Sequence, residues 1–347
     1  MTLSNVAREA GVSLATASRA LNGSTQVRLE LRERVLAAAA RLDYTPNAHA
    51  KALASAASHT IGLICHDISD PYFAGIAGGV MRGADEQNLQ VILASTFRDP
   101  SREIEYVSMM RGQQVRAILL VGSSFEDRAW QAAMRRELDL FTRSGGRVAA
   151  VSRHQGLRVD TVQPENRAGA AELARSLVAL GHRDFAVLSG PKQITTVTDR
   201  LRGFRQGLAD AGIPLPADRI FIAPFTREGG YQAALQLLAD SRGTLPSCVI
   251  AVTDIMAVGA LAAFRDQGLA VPDDIALTGF DDIPAISDLT PPLTSVALPL
   301  EELGRRVMQL VLREAGSRAR VDRVPAQVVL RASTPARTAT AIRTEQP

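Results

Sequence analysis

Apolar residues recur at helical spacing over the first 21 residues of the chain. A first helix is predicted to begin after Thr2, which can cap it, and Gly11 supplies the tight turn that ends it. Ser13 can cap a second helix, in which Ala17 and Leu21 lie four positions apart and face the first helix. The first helix is predicted to bury Leu3, Val6, Ala7 and Ala10. The outer side of the second helix carries Leu14, Ala15, Thr16, Ser18 and Arg19.

Two short helices joined by a three-residue turn are typical of the helix-turn-helix, in which the N-terminal residues of the second helix face the major groove of DNA. An ordinary helical hairpin has the same apolar spacing. Small alanines at every contact position and so short a turn are unusual in such a hairpin. The pattern therefore predicts an all-α DNA-binding head at the N-terminus.

Beyond the head, short β-branched or leucine-rich runs alternate with longer amphipathic runs, as in parallel sheets covered by helices. The predicted strands are 61–65, 90–95, 117–121, 147–151, 184–189, 219–223, 248–252 and 275–279. The predicted helices begin near Phe73, Arg102, Asp127, Glu165, Val197, Glu228 and Asp254. These elements are too many for one sheet. We expect an α/β core of two doubly wound parallel-sheet lobes, with room for a ligand at the carboxyl ends of the strands.

The segment between head and core is predicted to hold a short hinge helix. Pro46 fixes the chain direction, and Asn47 can cap a helix over 48–57. A helix of that length is marginal in water by itself. We therefore expect it to become ordered on DNA.

Composition and charge agree with a small head on a larger body. The 347 residues exceed the usual single core. Residues 1–58 hold seven Lys or Arg and four acidic residues, so the excess of three matches the net charge of the whole chain, +3. A basic head is expected where only the head meets phosphate, although a solvated helical surface could give the same small excess.

Other classes of protein find little support in the sequence. Cys65 and Cys248 lie far apart in apolar runs and are expected to be buried free thiols. There is no GxSxG, GxxxxGK[ST] or HExxH motif and no Cys-His cluster, so we expect no enzyme activity, no catalytic residue, no metal and no cofactor. No signal-like or membrane-spanning run occurs, which favours a cytoplasmic protein and no membrane partner. It also weighs against the rival interpretation, a periplasmic sugar-binding module with the same two lobes.

Several motifs together closely resemble the LacI/GalR family of bacterial transcription repressors, over roughly residues 1–337. In the head they are Gly11-Val12-Ser13, Ser18-Arg19 and Leu21-Asn22-Gly23, followed by Tyr44-Thr45-Pro46-Asn47-Ala48. In the core they are Asp67-Ile68-Ser69-Asp70-Pro71-Tyr72-Phe73, Arg200-Leu201-Arg202-Gly203-Phe204, Asp254-Ile255-Met256-Ala257-Val258-Gly259-Ala260 and Gly279-Phe280-Asp281-Asp282.

The resemblance implies a domain organisation and an assembly. It divides the chain into a head (1–45), a hinge helix or linker (46–58), a two-lobed core (59–337, periplasmic-binding-protein-like) and a flexible tail (338–347). The N-lobe would comprise about 59–161 and 293–323, and the C-lobe about 163–290 and 325–337, with crossings near 161–164, 289–294 and 322–326. It implies a homodimer on pseudo-palindromic double-stranded operator DNA. The tail has no leucine heptads, so a tetramerising coiled coil is not expected.

The resemblance also implies which residues meet DNA. They are Thr2, Ser13, Leu14, Ala15, Thr16, Ser18, Arg19 and Asn22 in the head, and Asn47, His49, Ala50 and Leu53 in the hinge. Leu53 maps onto a leucine that wedges into the minor groove, although it could instead pack beneath the head. Because Leu14 and Ala15 offer only apolar contact, Arg19 becomes the expected donor to guanine, with phosphate as its alternative partner.

A small-molecule effector, a sugar or derivative, is implied for the cleft between the lobes. Arg200 and Asp281 map onto effector-binding residues on opposite sides of it, Phe225 onto its aromatic floor, and Tyr72 with Phe73 onto its N-lobe wall. Glu165 and Thr253 replace the aspartate and asparagine of many relatives, so a sugar, sugar acid, polyol or nucleoside all fit. Taken alone, Phe225 could be lobe core, Asp281 a cap and Arg200 a surface residue.

Overall fold

The computed structural model describes residues 1–21, 26–44, 58–241, 244–314, 316 and 318–337. The chain separates into two compact units, Met1–His59 and Thr60–Pro347. Most of the hinge and the predicted tail lie outside the described residues. No helix within the described ranges is long and apolar enough to cross a membrane.

The described residues of the head unit form three helices: α1 (Leu3–Glu9), α2 (Leu14–Leu21) and α3 (Leu29–Arg41). Thr2 and Ser13 stand at the predicted starts of α1 and α2, and Gly11 takes the left-handed backbone of the turn, with φ +62°. Arg34 of α3 donates a hydrogen bond of 2.6 Å to the Ala10 carbonyl and so holds the end of α1. The core of the head consists of Val6, Ala7, Ala10, Ala17, Ala20, Val35, Ala38 and Ala39, so the helix-turn-helix prediction is confirmed.

The core unit begins with the N-lobe, a six-stranded parallel sheet of order β11-β5-β4-β3-β1-β2. In chain order its elements are β1 (Thr60–Cys65), α4 (Pro71–Asp85), β2 (Gln90–Ser95), α5 (Pro100–Gly112), β3 (Ala117–Val121), α6 (Arg128–Arg143), β4 (Arg147–Val151) and β5 (Asp160–Pro164). After the C-lobe the chain returns to this lobe with α11 (Leu300–Leu312) and β11 (Val321–Val324).

The C-lobe is built on a four-stranded parallel sheet of order β7-β6-β8-β9. Its elements are α7 (Asn166–Ala179), β6 (Phe185–Ser189), α8 (Thr195–Ala209), β7 (Ile220–Ile222), α9 (Arg227–Asp240), β8 (Cys248–Ala251), α10 (Asp254–Asp266) and β9 (Ala276–Thr278). An antiparallel pair, β10 (Ser295–Ala297) and β12 (Gln327–Val329), and two 3-10 turns complete the unit. Cys65 and Cys248 are buried free thiols, as predicted.

All eight predicted strands are present, and each predicted helix begins within two residues of its expected start. Four strands (β5, β10, β11 and β12) and α11 were not predicted. The crossings expected near 161–164 and 322–326 overlap two strands, β5 and β11, which pair with each other in the N-lobe sheet. β11 is the edge strand and β5 lies next to it. Both carry polar residues, such as Asp160, which Arg320 binds at 2.5 Å, and so lack the apolar run of a central strand.

Helices α4 and α11 approach each other through glycine, which suggests a stability test. A Cβ added to Gly79 would lie 2.0 Å from the Glu301 carbonyl oxygen, whereas one added to Gly78 would meet nothing within 4 Å. We expect Gly79→Ala to lower the free energy of unfolding by about 1–3 kcal/mol. We expect Gly78→Ala to leave it unchanged or raise it by up to about 1 kcal/mol, because alanine is the better helix former. Fluorescence of Trp130, the single tryptophan, during urea unfolding measures both effects in the N-lobe. Equal losses in the two variants would contradict this packing.

A second test concerns Glu103, a buried carboxyl on α5. It is only 2% exposed, its Oε2 has no hydrogen-bond partner among the described residues, and burial raises its pKa to about 8. The folded state therefore keeps this proton over a range in which the unfolded chain has released it, so stability falls as pH rises from about 5 to 8.

We expect Glu103→Gln to remove that dependence. The difference in unfolding free energy between Glu103→Gln and wild type should grow with pH, by at most about 1.4 kcal/mol per pH unit. Glu105→Gln, at an exposed position of the same helix, is the matched control and should show no such trend. Urea titrations at several pH values measure it, and a flat difference for Glu103→Gln would refute the expectation.

Candidate functional site

The outer face of α2 is the candidate DNA-binding surface. Leu14 is 52% exposed, Ala15 and Arg19 are exposed, and Thr16 and Ser18 are half-buried, as their spacing predicted. Among the described residues Arg19 has no ion-pair partner, so its guanidinium remains available to phosphate or guanine.

Local hydrogen bonds occupy part of this surface. The Ser13 hydroxyl accepts a 3.1 Å bond from the Thr16 backbone N–H and lies 2.8 Å from the Thr16 hydroxyl, so both form the cap of α2. Exposed Thr2 stands before α1, where its N–H donates to the Asn5 side chain at 3.2 Å. The other predicted DNA contacts lie outside the described residues: Asn22, Asn47, His49, Ala50 and Leu53.

In the core unit, residues of both lobes surround one small pocket, here called the interlobe pocket. It is lined by His66, Asp70, Tyr72, Phe73, Gly122, Ser123, Thr196, Arg200, Phe225, Thr253 and Asp281. Six of the seven predicted effector residues are therefore brought together. The centre of a water molecule can reach only about 20 Å³ of the pocket, which is room for roughly one water.

Arg200 of α8 organises the C-lobe side of the pocket. Its side chain is 1% exposed, so it is not a surface residue. Its three nitrogens donate to Asn166 Oδ1 (2.9 Å), the Val252 carbonyl (2.6 Å) and Asp281 Oδ1 (2.6 Å). The guanidinium also lies 3.8 Å from the ring centroid of Phe280. Each nitrogen of the fork is thus already bonded to the protein.

Asp281 belongs to the same lobe as Arg200, which corrects the expectation that the two face each other across the cleft. It follows β9, the edge strand of the C-lobe sheet, and its φ of +118° is unusual for a residue other than glycine. Burial raises the pKa of the Asp281 carboxyl, while the Arg200 guanidinium opposes that shift. The arginine therefore favours the charged form of the aspartate, which burial disfavours.

Thr253 and Glu165 both stand directly before helices. The Thr253 hydroxyl accepts a 3.3 Å bond from the Met256 N–H and caps α10, so its role there is structural. Glu165 lies outside the interlobe pocket, which corrects its predicted place. It faces a separate surface depression, where its carboxylate is 3.9 Å from Arg323. The next residue, Asn166, is the one that reaches Arg200.

The N-lobe wall contains residues that the sequence analysis missed. His66 directly follows β1, and Ser123 lies two residues after β3, at the carboxyl ends of parallel strands, where ligands commonly bind. The His66 ring lies 5.6 Å from that of Phe73 and 5.8 Å from that of Phe125. Burial lowers the pKa of His66 to about 3, so its imidazole is neutral. Both residues come just after a predicted strand, and this position could have identified them from the sequence.

Polar bonds between the lobes close the cleft around this pocket. Ser123 donates to Thr196 at 2.6 Å, and the Thr195 N–H donates to the Ser124 carbonyl at 3.1 Å. Arg153 of the N-lobe is 3.0 Å from Asp199 of the C-lobe. A sugar needs more space than one water, so a ligand of that size must shift this closure. The described residues contain no group of three or more His, Cys, Asp or Glu side chains placed to hold a metal ion.

Comparison with known proteins identifies the family. Residues 2–47 match "Bacterial regulatory proteins, lacI family", and 174–334 match "Periplasmic binding protein-like domain". The chain is 32% identical over 337 residues to the HTH-type transcriptional regulator DegA of Bacillus subtilis (strain 168), covering 96% of this chain and 98% of that protein.

Solved structures show the same likeness. The lac repressor dimer bound to operator and the anti-inducer ONPF is 26% identical with a TM-score of 0.80, covering 97% of this chain and 99% of that chain. The CelR–cellobiose complex is 28% identical with a TM-score of 0.71, covering 96% and 99%. The chain therefore belongs to the lacI family of bacterial regulatory proteins and is a DNA-binding transcriptional regulator.

Proposed function

We propose that this regulator is a repressor whose operator binding is controlled by a sugar or sugar-like effector in the interlobe pocket. The observation that carries the proposal is the position of the pocket: both lobes line it, and bonds between the lobes close it. An occupant that changes closure has different affinities for two states of the core, which is the requirement for allosteric control. The CelR structure, which contains cellobiose, supports a sugar as the class of effector.

The operator would be double-stranded and pseudo-palindromic, read by two heads of residues 1–45. The hinge (46–58) would contribute Asn47, His49, Ala50 and the wedge residue Leu53 between the half-sites. The lac repressor structure, a dimer bound to operator, supports this arrangement. Such a protein acts where the chromosome is, in the cytoplasm, and needs neither catalysis nor a cofactor.

A homodimer is also supported by apolar side chains at the edges of both sheets. Ile92 on edge strand β2 is 41% exposed, and Ile222 on edge strand β7 is 43% exposed. Phe97, just after β2, is 67% exposed. Open edge strands with apolar side chains are surfaces that proteins usually cover, and a second copy of the core would do so.

The proposed binding of operator DNA through α2 is tested by substituting Arg19. Arg19→Ala should lower operator affinity by about 1–3 kcal/mol and relax the base preference at one position of each half-site, because a bidentate arginine–guanine contact is lost. The operator is first selected from randomised palindromic duplexes with the full-length protein. Single-base variants of it are then titrated at fixed salt.

Arg32→Ala is the matched control, because it removes the same charge from an exposed position of α3. It should weaken binding to every duplex equally, or not at all. An Arg19→Ala protein with the base preferences of wild type would show that Arg19 contacts phosphate only.

The proposed control of operator binding by an effector is tested by substituting Arg200. Arg200→Ala should abolish the influence of the effector on operator affinity. It should also lower the unfolding free energy by about 3–5 kcal/mol, because Asp281 is left buried without its partner. Arg200→Lys keeps the charge but not the planar fork, so it should fold better and still lose the response.

Operator titrations with and without a ligand identified by thermal shift measure this response. Arg202→Ala changes an exposed arginine two residues along α8 and should respond as wild type does. A folded Arg200→Lys protein with a normal response would remove Arg200 from the effector site.

A further inference from the structure

Arg98, which follows β2, reaches into the cleft between two aromatic rings of different lobes. Its guanidinium carbon is 5.8 Å from the ring centroid of Phe73 in the N-lobe and 5.6 Å from that of Phe225 in the C-lobe. Both rings line the interlobe pocket. The arginine thus lies beside the space into which an effector would enter.

Two disfavoured backbone conformations hold Arg98 beside the pocket. Phe97 and Arg98 are consecutive non-glycine residues with φ of +51° and +65°. Left-handed conformations are disfavoured for such residues, because the Cβ atom crowds the following carbonyl oxygen. The Arg98 N–H donates to the His66 carbonyl at 3.0 Å and fixes the turn against β1. A strained turn that delivers one charged side chain to a cleft is typical of a functional position.

The acidic neighbours of Arg98 leave part of its fork free. Arg98 Nη2 donates to Asp70 Oδ2 at 3.0 Å, while Asp70 Oδ1 accepts from the Tyr72 N–H and caps α4. Asp67 accepts both hydrogen bonds of Ser69, and its other oxygen is 3.9 Å from Arg98 Nε, beyond hydrogen-bond distance. Arg98 Nε is buried without a hydrogen-bond partner among the described residues.

His66 gives a second, independent sign of a ligand. It is 6% exposed, lines the same pocket, and its Nε2 has no hydrogen-bond partner within the described part of the chain. A buried ring nitrogen without a partner costs free energy, and a ligand oxygen would satisfy it if that nitrogen carries the proton. Arg98 and His66 therefore each place a nitrogen without a partner on the N-lobe wall.

We propose that Arg98 and His66 form an oxyanion subsite of the interlobe pocket, so that the effector is an acidic sugar derivative. This deepens the proposed function and rests on it. Arg200 is less suited to an anion, because each of its nitrogens already donates to Asn166, Val252 or Asp281 and the Asp281 carboxylate lies 2.6 Å from it. Arg98 is better suited, because its planar fork binds a carboxylate or phosphate edge with the donors that Asp70 leaves free.

The test uses pairs of compounds that differ in the acidic group. Full-length protein is titrated at constant ionic strength by thermal shift and calorimetry with D-galacturonate and D-galactose, D-glucuronate and D-glucose, and D-gluconate and D-glucitol. D-glucose 6-phosphate distinguishes a phosphate from a carboxylate. We expect at least one acidic compound to bind at least about tenfold more tightly than its neutral counterpart, as for a charge-assisted hydrogen bond.

Arg98→Gln should weaken binding of that acid by about tenfold to a hundredfold and leave its neutral counterpart unaffected. The matched control is Arg102→Gln, at an exposed arginine that lies over the ring of Phe97 rather than beside the pocket. It should bind the acid as wild type does. Thermal unfolding without ligand shows whether each variant is folded.

Three outcomes overturn the subsite: no acidic compound binds, neutral compounds bind as tightly as acidic ones, or Arg98→Gln binds the acid normally. In the second case the proposed sugar effector stands without the anion. If the acid binds through Arg98 while operator affinity stays the same, the subsite stands and its regulatory role fails.

Discussion

The C-lobe depends on one buried charge, the guanidinium of Arg200. Removing such a charge from water costs several kcal/mol, and only bonds to all sides of the fork offset that cost. These bonds come from Asn166 at the start of α7, the carbonyl that follows β8, and Asp281 after β9, with the ring of Phe280 below. The carboxyl edge of the sheet is therefore assembled around the arginine, and the pocket wall is rigid because its parts need one another.

The contacts between the lobes have a different character. Ser123–Thr196 and Arg153–Asp199 are polar bonds, and the second pair is partly exposed to solvent. Each such bond contributes about 0.5–1.5 kcal/mol net. A few of them together match the usual scale of allosteric coupling, about 1–3 kcal/mol. Rigid lobes joined by weak polar bonds form a two-state element that a bound ligand can shift.

The sequence predicted the parts of the fold that rest on apolar periodicity. The central strands β1, β3, β6 and β8 are continuous apolar runs, and Thr2 and Ser13 precede their helices as expected. The strands β5 and β11 were not predicted because polar residues such as Asp160, Gln163 and Arg323 interrupt their apolar runs. Glu165 was placed wrongly because it is the next residue, Asn166, that bonds to Arg200 of the pocket wall, while Glu165 faces the separate depression. Arg98 could not be predicted, since nothing in its neighbours signals two left-handed non-glycine residues.

The two walls of the pocket would therefore contact different chemical groups of the effector. On the C-lobe wall each nitrogen of Arg200 already donates to the protein, so that wall offers fixed polar groups and aromatic surface, which suit the hydroxyls and C–H faces of a sugar ring. On the N-lobe wall Arg98 and His66 keep nitrogens without partners, and the Arg98 guanidinium lies against the ring of Phe225 in the other lobe. A ligand oxygen that binds those nitrogens changes the contact of Arg98 with Phe225 at the same time. Recognition and lobe closure then share one side chain, and this gives a ligand different affinities for the open and closed states.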